Sequence, residues 1–311
     1  MGQAIFIAAL TGFASALLSG MLTPSSMSFA MLFMLAPLPL FIAGFGWHAL
    51  VAALGGLIGA LLIDLAVGNR GSIAFAMLLA LPAFVITSAS ERAFNRDMRD
   101  PARDGIAVGQ IGAALVIYIA LVVVASAIWV EGDYALFVSR LREFVALGLR
   151  QMGGPGSVLQ TDAASLNRMV DLMAMIMLPV SGLLIVVTIV LSACLGAIIA
   201  DKATRMTYPR PRFNEFRLPG GALFLFAVAI ILGLQDGYLG VFAEIVALGL
   251  ALLLILQGLA VFHTRLIGNS SRGMLIAAAW ASILVFGLPA LLFLGAGMLD
   301  HLFDLRRRKP G

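Results

Sequence analysis

Two carboxylates stand inside otherwise apolar stretches of this chain, Asp64 and Glu244. An ionisable side chain at membrane depth is costly, and it marks a substrate path, an ion path or a buried partner by default. Pro37 and Pro39 sit in the middle of another apolar stretch. Each proline removes a backbone donor and clashes with the preceding turn, so carbonyls are freed that lipid cannot satisfy. Broken helices at membrane depth often border the binding site of a transporter. Pro37, Pro39, Asp64 and Glu244 are therefore the candidate substrate pocket. It is expected to open toward the extracytoplasmic side and to suit a cationic or hydrogen-bond-donating solute. The competing readings are a plain kink at the prolines and an interfacial anchor in which Asp64 pairs with Arg70.

Other chemistries find little footing. Met27, Met31 and Met34 recur at helical spacing and Met173, Met175 and Met177 cluster. Thioethers bind Cu(I), but methionine also fills irregular apolar gaps, and no Cys or His accompanies them. His48, His263 and His301 fall in separate segments and build no metal spacing. The single cysteine, Cys194, precludes an intrachain disulfide and a cysteine zinc site. Nucleophilic triads, a P-loop and a dinucleotide fingerprint are missing from the sequence. The expectation is a protein that is not an enzyme, has no metal or cofactor, and carries no ATPase motor.

The elements that must position these residues are set by composition. Of 311 residues, 61% are hydrophobic and 12% charged, with a mean hydropathy of +1.05. Soluble domains carry about 25% charged residues. The chain reads as all-α, a polytopic transmembrane helix bundle of eight or nine spans in a single integral membrane domain over residues 1–311. Apolar stretches long enough to cross, or nearly so, fall at 4–22, 28–46, 47–67, 72–90, 105–130, 173–200, 220–235, 240–262 and 273–299. The stretch 220–235 is the shortest. The first stretch lacks a basic n-region and reads as a retained span. The pI of 9.7 does not point to nucleic acid, because the basic residues lie in the loops, where they set topology and meet anionic head groups.

Basic short loops favour the cytoplasm. This places 91–104 and the basic loop 201–218 inside, with the N-terminus, and 131–172 outside. Nine simple crossings would put the Arg306–Lys309 tail outside. A fold-back at Gly287 and Pro289 would return it to the cytoplasm, and so would a false seventh span. A cytoplasmic C-terminus is favoured. Asp304 and Arg308 can pair at i,i+4 in this tail, which reads as a stop-transfer anchor.

Within 131–172, Tyr134, Phe137, Val138, Leu141, Phe144 and Val145 recur at helical spacing opposite Arg140, Arg142 and Glu143. This predicts an extracytoplasmic, interfacial amphipathic insert. The first span carries Ala8, Gly12, Ala16 and Gly20 on one stripe. Small residues let helix backbones approach, so the stripe predicts either close packing in the bundle or a partner face. Gly105, Gly109 and Ala113 form a similar stripe.

The segment Leu35-Ala36-Pro37-Leu38-Pro39-Leu40, followed by Ala43-Gly44-Phe45-Gly46-Trp47-His48, resembles a hallmark of the YybS-like family of bacterial multi-pass membrane proteins. The ending Leu294-Gly295, then Leu299-Asp300-His301-Leu302-Phe303-Asp304-Leu305-Arg306, is similar to that family's ending. That family in turn looks distantly like the S-components of energy-coupling-factor vitamin transporters. The resemblance implies a multi-pass protein of the bacterial inner membrane, in contact with the lipid bilayer and possible partner of a membrane coupling subunit or another envelope protein. The expected function is a small-molecule transport or substrate-binding subunit, with a non-transporting scaffold that recruits envelope proteins as the alternative.

Overall fold

The computed structural model describes residues 2–19, 32–94, 100–152, 163–203, 205–206, 208 and 210–306. Among them every regular element is helical. We number the helices α1 (Gly2–Leu18), α2 (Leu38–Gly46), α3 (Ala49–Val67), α4 (Asn69–Phe94, with one π turn at Ala76–Ala80), α5 (Pro101–Glu131), α6 (Tyr134–Met152), α7 (Ala163–Lys202), α8 (Ala222–Leu232), α9 (Tyr238–Arg265), α10 (Arg272–Phe286) and α11 (Pro289–Phe303). A helix satisfies its own backbone, as lipid demands.

Among the described residues five helices are long and apolar enough to cross a membrane: α3, α4, α5, α7 and α9. A sixth crossing arises if α10 and α11 count as one broken span; they meet at an angle of 120°. The bend falls where the sequence places a break. Gly287 takes φ +68°, a left-handed conformation that favours glycine, and Pro289 occupies the first turn of α11, where its missing donor costs nothing. The apolar stretch 220–235 yields only the 11 residues of α8, about 16 Å of helix, so it cannot cross alone. The stretch 4–22 yields α1, 17 residues long. Of the stretch 28–46, residues 28–31 lie outside the described residues; residues 32–33 are helical, 34–37 form a turn, and a helix resumes over Leu38–Gly46.

The core runs through the middle of the bundle. Phe41, Ile63, Phe75, Leu79, Ile119, Ile189, Ile245, Leu250 and Leu254 are fully buried. Glycines draw the central helices together: a Cβ on Gly182 of α7 would lie 2.7 Å from Ile245 of α9, and one on Gly112 of α5 would lie 3.3 Å from Leu253. Outward faces are apolar as well, with Phe6, Leu57, Leu65, Leu184 and Phe224 all exposed.

Within 131–172 the described residues hold α6 and the first turns of α7. Amphipathic α6 packs on the first turns of α7 through Val145, Leu149 and Val170. Arg142 Nε pairs with Asp171 at 3.0 Å, and Arg140 pairs with Glu131 at the end of α5. Helix α7 has 40 residues, so it is about 60 Å long. That is twice the ~30 Å hydrocarbon core, and its first turns extend beyond the part that packs in the bundle.

Candidate functional site

The proline break lies where the sequence puts it. Residues 34–37 form a turn, and α2 begins at Leu38 with Pro39 in its first turn. The carbonyls freed by the break are taken by hydroxyls of two other helices. Ser15 Oγ of α1 donates to Ala36 O at 2.5 Å, and Ser192 Oγ of α7 donates to Met34 O at 3.2 Å. Ala36, Pro37, Leu40 and Phe41 are buried around it. The break is packed between α1 and α7, and its acceptors are in use.

The two carboxylates are elsewhere. Asp64 is exposed on the last turns of α3 and accepts from Ser72 Oγ at 3.1 Å. Its backbone carbonyl receives Gly68 N–H at the helix end. Glu244 is half-buried on the second turn of α9, with its Cγ 3.2 Å from where a Cβ on Gly233 would sit. Its neighbours include Tyr134 at the start of α6: burial first, then the Glu244 and Asp236 carboxylates, raise the Tyr134 phenol above its ordinary pKa. Tyr134 and Tyr238 meet edge to face with ring centroids 5.2 Å apart. No described contact joins Pro37 or Pro39 to Asp64 or Glu244.

The first-span stripe is a contact inside the bundle. Ala8, Gly12 and Ala16 are buried. A Cβ on Gly12 would lie 3.1 Å from Gly59 N of α3 and closer still to Gly55 O; one on Gly59 would lie 2.9 Å from Gly12 O. Gly20 lies outside the described residues.

The most fully built polar site was not singled out by sequence reasoning. Between α7 and α8 the chain runs as a strap, residues 213–218. It lies on Gly105 and Gly109 near the start of α5, where a Cβ would meet the strap carbonyls of Glu215 and Arg217. Arg217 N–H donates to Gly105 O at 3.2 Å. On the other side Leu218 N–H donates to Gln257 Oε1 at 3.0 Å, and Gln257 Nε2 donates to Asp300 Oδ2 at 2.8 Å. Gln257 is eight residues short of the end of α9, about 12 Å inside the helix. The strap thus dips below the helix ends, and non-helical backbone at such depth must be satisfied by protein.

Arg306 supplies that satisfaction. Its Nη1 donates to Asn214 O at 2.8 Å and its Nη2 to Phe216 O at 2.9 Å. The same Nη2 pairs with Asp300 Oδ2 at 2.7 Å, with the two side chains 5% and 1% exposed. Six residues separate Asp300 from Arg306, a spacing that no continuous helix brings together. Asp304 makes it possible: it ends α11 in the left-handed region, φ 47° and ψ 61°, and turns the chain back. Its carboxylate pairs with Arg217 Nη2 at 2.8 Å. Arg265 Nη2 donates to Leu305 O at 2.8 Å. Arg308, the i,i+4 partner expected for Asp304, lies outside the described residues. The one signal for this site in the sequence is the run from Asp300 to Arg306.

A second polar group lies around the α2–α3 corner. His48 Nδ1 sits 3.6 Å from Glu91 Oε2, Arg205 lies over the Trp47 ring at 5.3 Å, and Tyr208 is buried. Burial first, then the Glu91 carboxylate, raise the Tyr208 phenol well above its ordinary pKa, against a smaller opposing pull from Ser90. Among the described residues no cluster of three His, Cys, Asp or Glu side chains could hold a metal ion.

Residues 13–301 match the family described as "Predicted membrane protein (DUF2232)", and the chain belongs to it. No curated protein and no solved structure matches the chain.

Proposed function

We propose that this chain is a non-transporting membrane scaffold that recruits other envelope proteins, without chemistry of its own. The observation that carries this reading is the closed proline break: Ser15 and Ser192 occupy the carbonyls a solute would use. The extension of α7 supports it further. Met169, Leu172, Met173 and Ile176 line an open hollow along one face of that helix with Ser165 and Arg168, and Met-rich surfaces adapt to partners. In this reading the protein sits in the bacterial inner membrane with both termini cytoplasmic. α6 and the first turns of α7 are extracytoplasmic.

A second reading, a substrate-binding subunit like an S-component, is favoured by one observation. Glu244 is a half-buried carboxylate in a spanning helix, and such residues default to a ligand or ion role. The site would then be the Glu244, Tyr134 and Tyr238 end of the bundle rather than the proline break.

Two measurements on the full chain in native membranes separate the readings. Photo-crosslinkers at positions 169 and 172 should give discrete adducts with an envelope protein, and Leu172→Glu should abolish them. A thermal-stability screen of the purified protein against organic cations should give no shift. A stabilising cation whose effect vanishes in Glu244→Gln, with no adducts at 169 or 172, would establish the transport reading instead.

A further inference from the structure

Helices α5 and α9 lie side by side and run in opposite directions. A Cβ on Gly112 would meet Leu253, and one on Gly249 would meet Val116, so positions rise along one helix as they fall along the other. The strap lies at one end of this pair. It covers Gly105 and Gly109 near the start of α5. Asn214 O receives Thr264 Oγ1 at 3.4 Å, one residue short of the end of α9. Phe213 meets His263 edge to face with ring centroids 5.0 Å apart. The other end of the pair is marked by Tyr238, the first residue of α9, whose ring meets Tyr134 just past the end of α5. The chain from Phe213 to Tyr238 therefore starts at one end of two spanning helices and finishes at the other.

We infer that residues 213–237 are one broken membrane span, an extended half followed by the short helix α8. The segment keeps to α9 along the way, with Leu218 at Gln257 and Gly233 beside Glu244. Glu244 and Thr264 are twenty residues apart in one helix, about 30 Å, which matches the ~30 Å hydrocarbon core. Helix α8 supplies 11 residues of that crossing, about 16 Å. The seven steps from Asn214 to Gly221 reach up to ~23 Å when extended, which covers the rest. The sequence explains why this half is unwound. Pro219 lacks a donor, and Gly220 and Gly221 are poor helix formers.

An unwound half inside the bilayer needs protein partners for its backbone, and the strap has them. Arg217 N–H goes to Gly105 O and Leu218 N–H to Gln257. The carbonyls of Asn214 and Phe216 go to Arg306, and His301 Nε2 lies 3.1 Å from Gly220 O. Phe216 and Leu218 are buried. The Gln257, Asp300 and Arg306 cluster thus stands in for the missing half of a helix. The crossing also fixes sides. Asp236, Glu244 and the start of α6 face one compartment. Arg212 and the C-terminal turn face the other, because Leu305 O is held by Arg265 at the last residue of α9. This inference rests on neither functional reading, since both use the same long helices.

Cysteine labelling of the full chain in native membranes tests it. Cys194→Ala removes the single cysteine, and Arg212→Cys and Asp236→Cys, both at exposed positions, each add one back. A membrane-impermeant maleimide should label position 236 in right-side-out vesicles and position 212 in inverted ones, or the reverse pair if the whole protein is oriented the other way. Should Arg212→Cys resist the reagent, Lys202→Cys at the exposed end of α7 reports the same side. Labelling of 212 and 236 from one side would overturn the span, because the segment would then dip in and return. Hydrogen exchange of the parent protein in nanodiscs gives a second test. The extended amides of Arg217 and Leu218 should exchange at least a hundredfold slower than an unstructured chain. Unprotected rates there would put the strap at the surface and overturn the inference.

Discussion

Gly12 offers the sharpest test of the packing. It faces Gly55 and Gly59 across the α1–α3 contact, and ordinary van der Waals contact for a Cβ begins at 3.4 Å. The reciprocal position, a Cβ on Gly59, would stand 2.9 Å from Gly12 O, 0.5 Å (3.4 − 2.9) inside that limit, and a Cβ on Gly12 would intrude further on Gly55 O. Both obstacles are backbone, so the helices themselves must part. Opening a contact by ~0.5–1 Å forfeits a quarter to a half of its dispersion energy, and overpacking of this kind costs about 1–3 kcal/mol. Alanine also favours a helix over glycine by about 1 kcal/mol. Gly148 isolates that gain, because it sits inside α6 with nothing within 4 Å of its Cβ position. Gly148→Ala is therefore expected to be neutral or stabilising by up to ~1 kcal/mol, and Gly12→Ala to be less stable than Gly148→Ala by about 1–3 kcal/mol. Gly12→Leu should prevent α1 from docking altogether. Equilibrium unfolding of the three variants in mixed micelles measures the differences. If Gly12→Ala and Gly148→Ala are equally stable, the close approach of α1 to α3 is wrong.

Ser15→Ala and Ser192→Ala should each destabilise by about 1–3 kcal/mol in the same unfolding assay, because each leaves one carbonyl of the proline break buried and unpartnered. Asp304→Ala should be less stable than Asp304→Gly by about 1–2 kcal/mol, since both remove the carboxylate and only glycine takes the left-handed turn freely. Tyr208 should be the last tyrosine outside the spanning helices to ionise in an ultraviolet titration. Its unfolded phenol loses a proton near pH 10 while the folded one holds it to higher pH. The unfolded state then binds fewer protons above pH 10, and stability falls as pH rises. Tyr208→Phe should flatten that slope, and at pH 7 it should cost no more than about 1 kcal/mol, since the buried hydroxyl has at most the Ser90 side chain to lose.

What the sequence makes legible here is whatever lipid enforces locally. A run of apolar residues must be a helix because its backbone has no other partner. So α3, α4, α5, α7 and α9 fall on the expected stretches, and the breaks at Pro37–Pro39 and Gly287–Pro289 appear where chemistry forbids a continuous ladder. The small stripe of α1 was legible as a contact but not as to its partner, since Gly55 and Gly59 lie more than forty residues away. Partners of polar groups were the least legible of all. The proline break predicts that carbonyls need donors, yet nothing local says that the donors are Ser15 and Ser192 rather than a solute. The strap shows the same limit more strongly. In sequence it is part of a basic loop, and its arginines read as topology signals. In the fold Arg217 pairs with Asp304, Arg306 replaces the missing helix for two carbonyls, and Gln257 joins both to Asp300. Each pairing crosses from one element to another, and Asp300 reaches Arg306 only through a left-handed residue that the sequence does not mark. Burial of this ion pair is weak evidence for stability in itself, since desolvation offsets much of the attraction. What the cluster does in this fold is hold the strap in one place against α5 and α9, with every hold drawn from a different part of the chain.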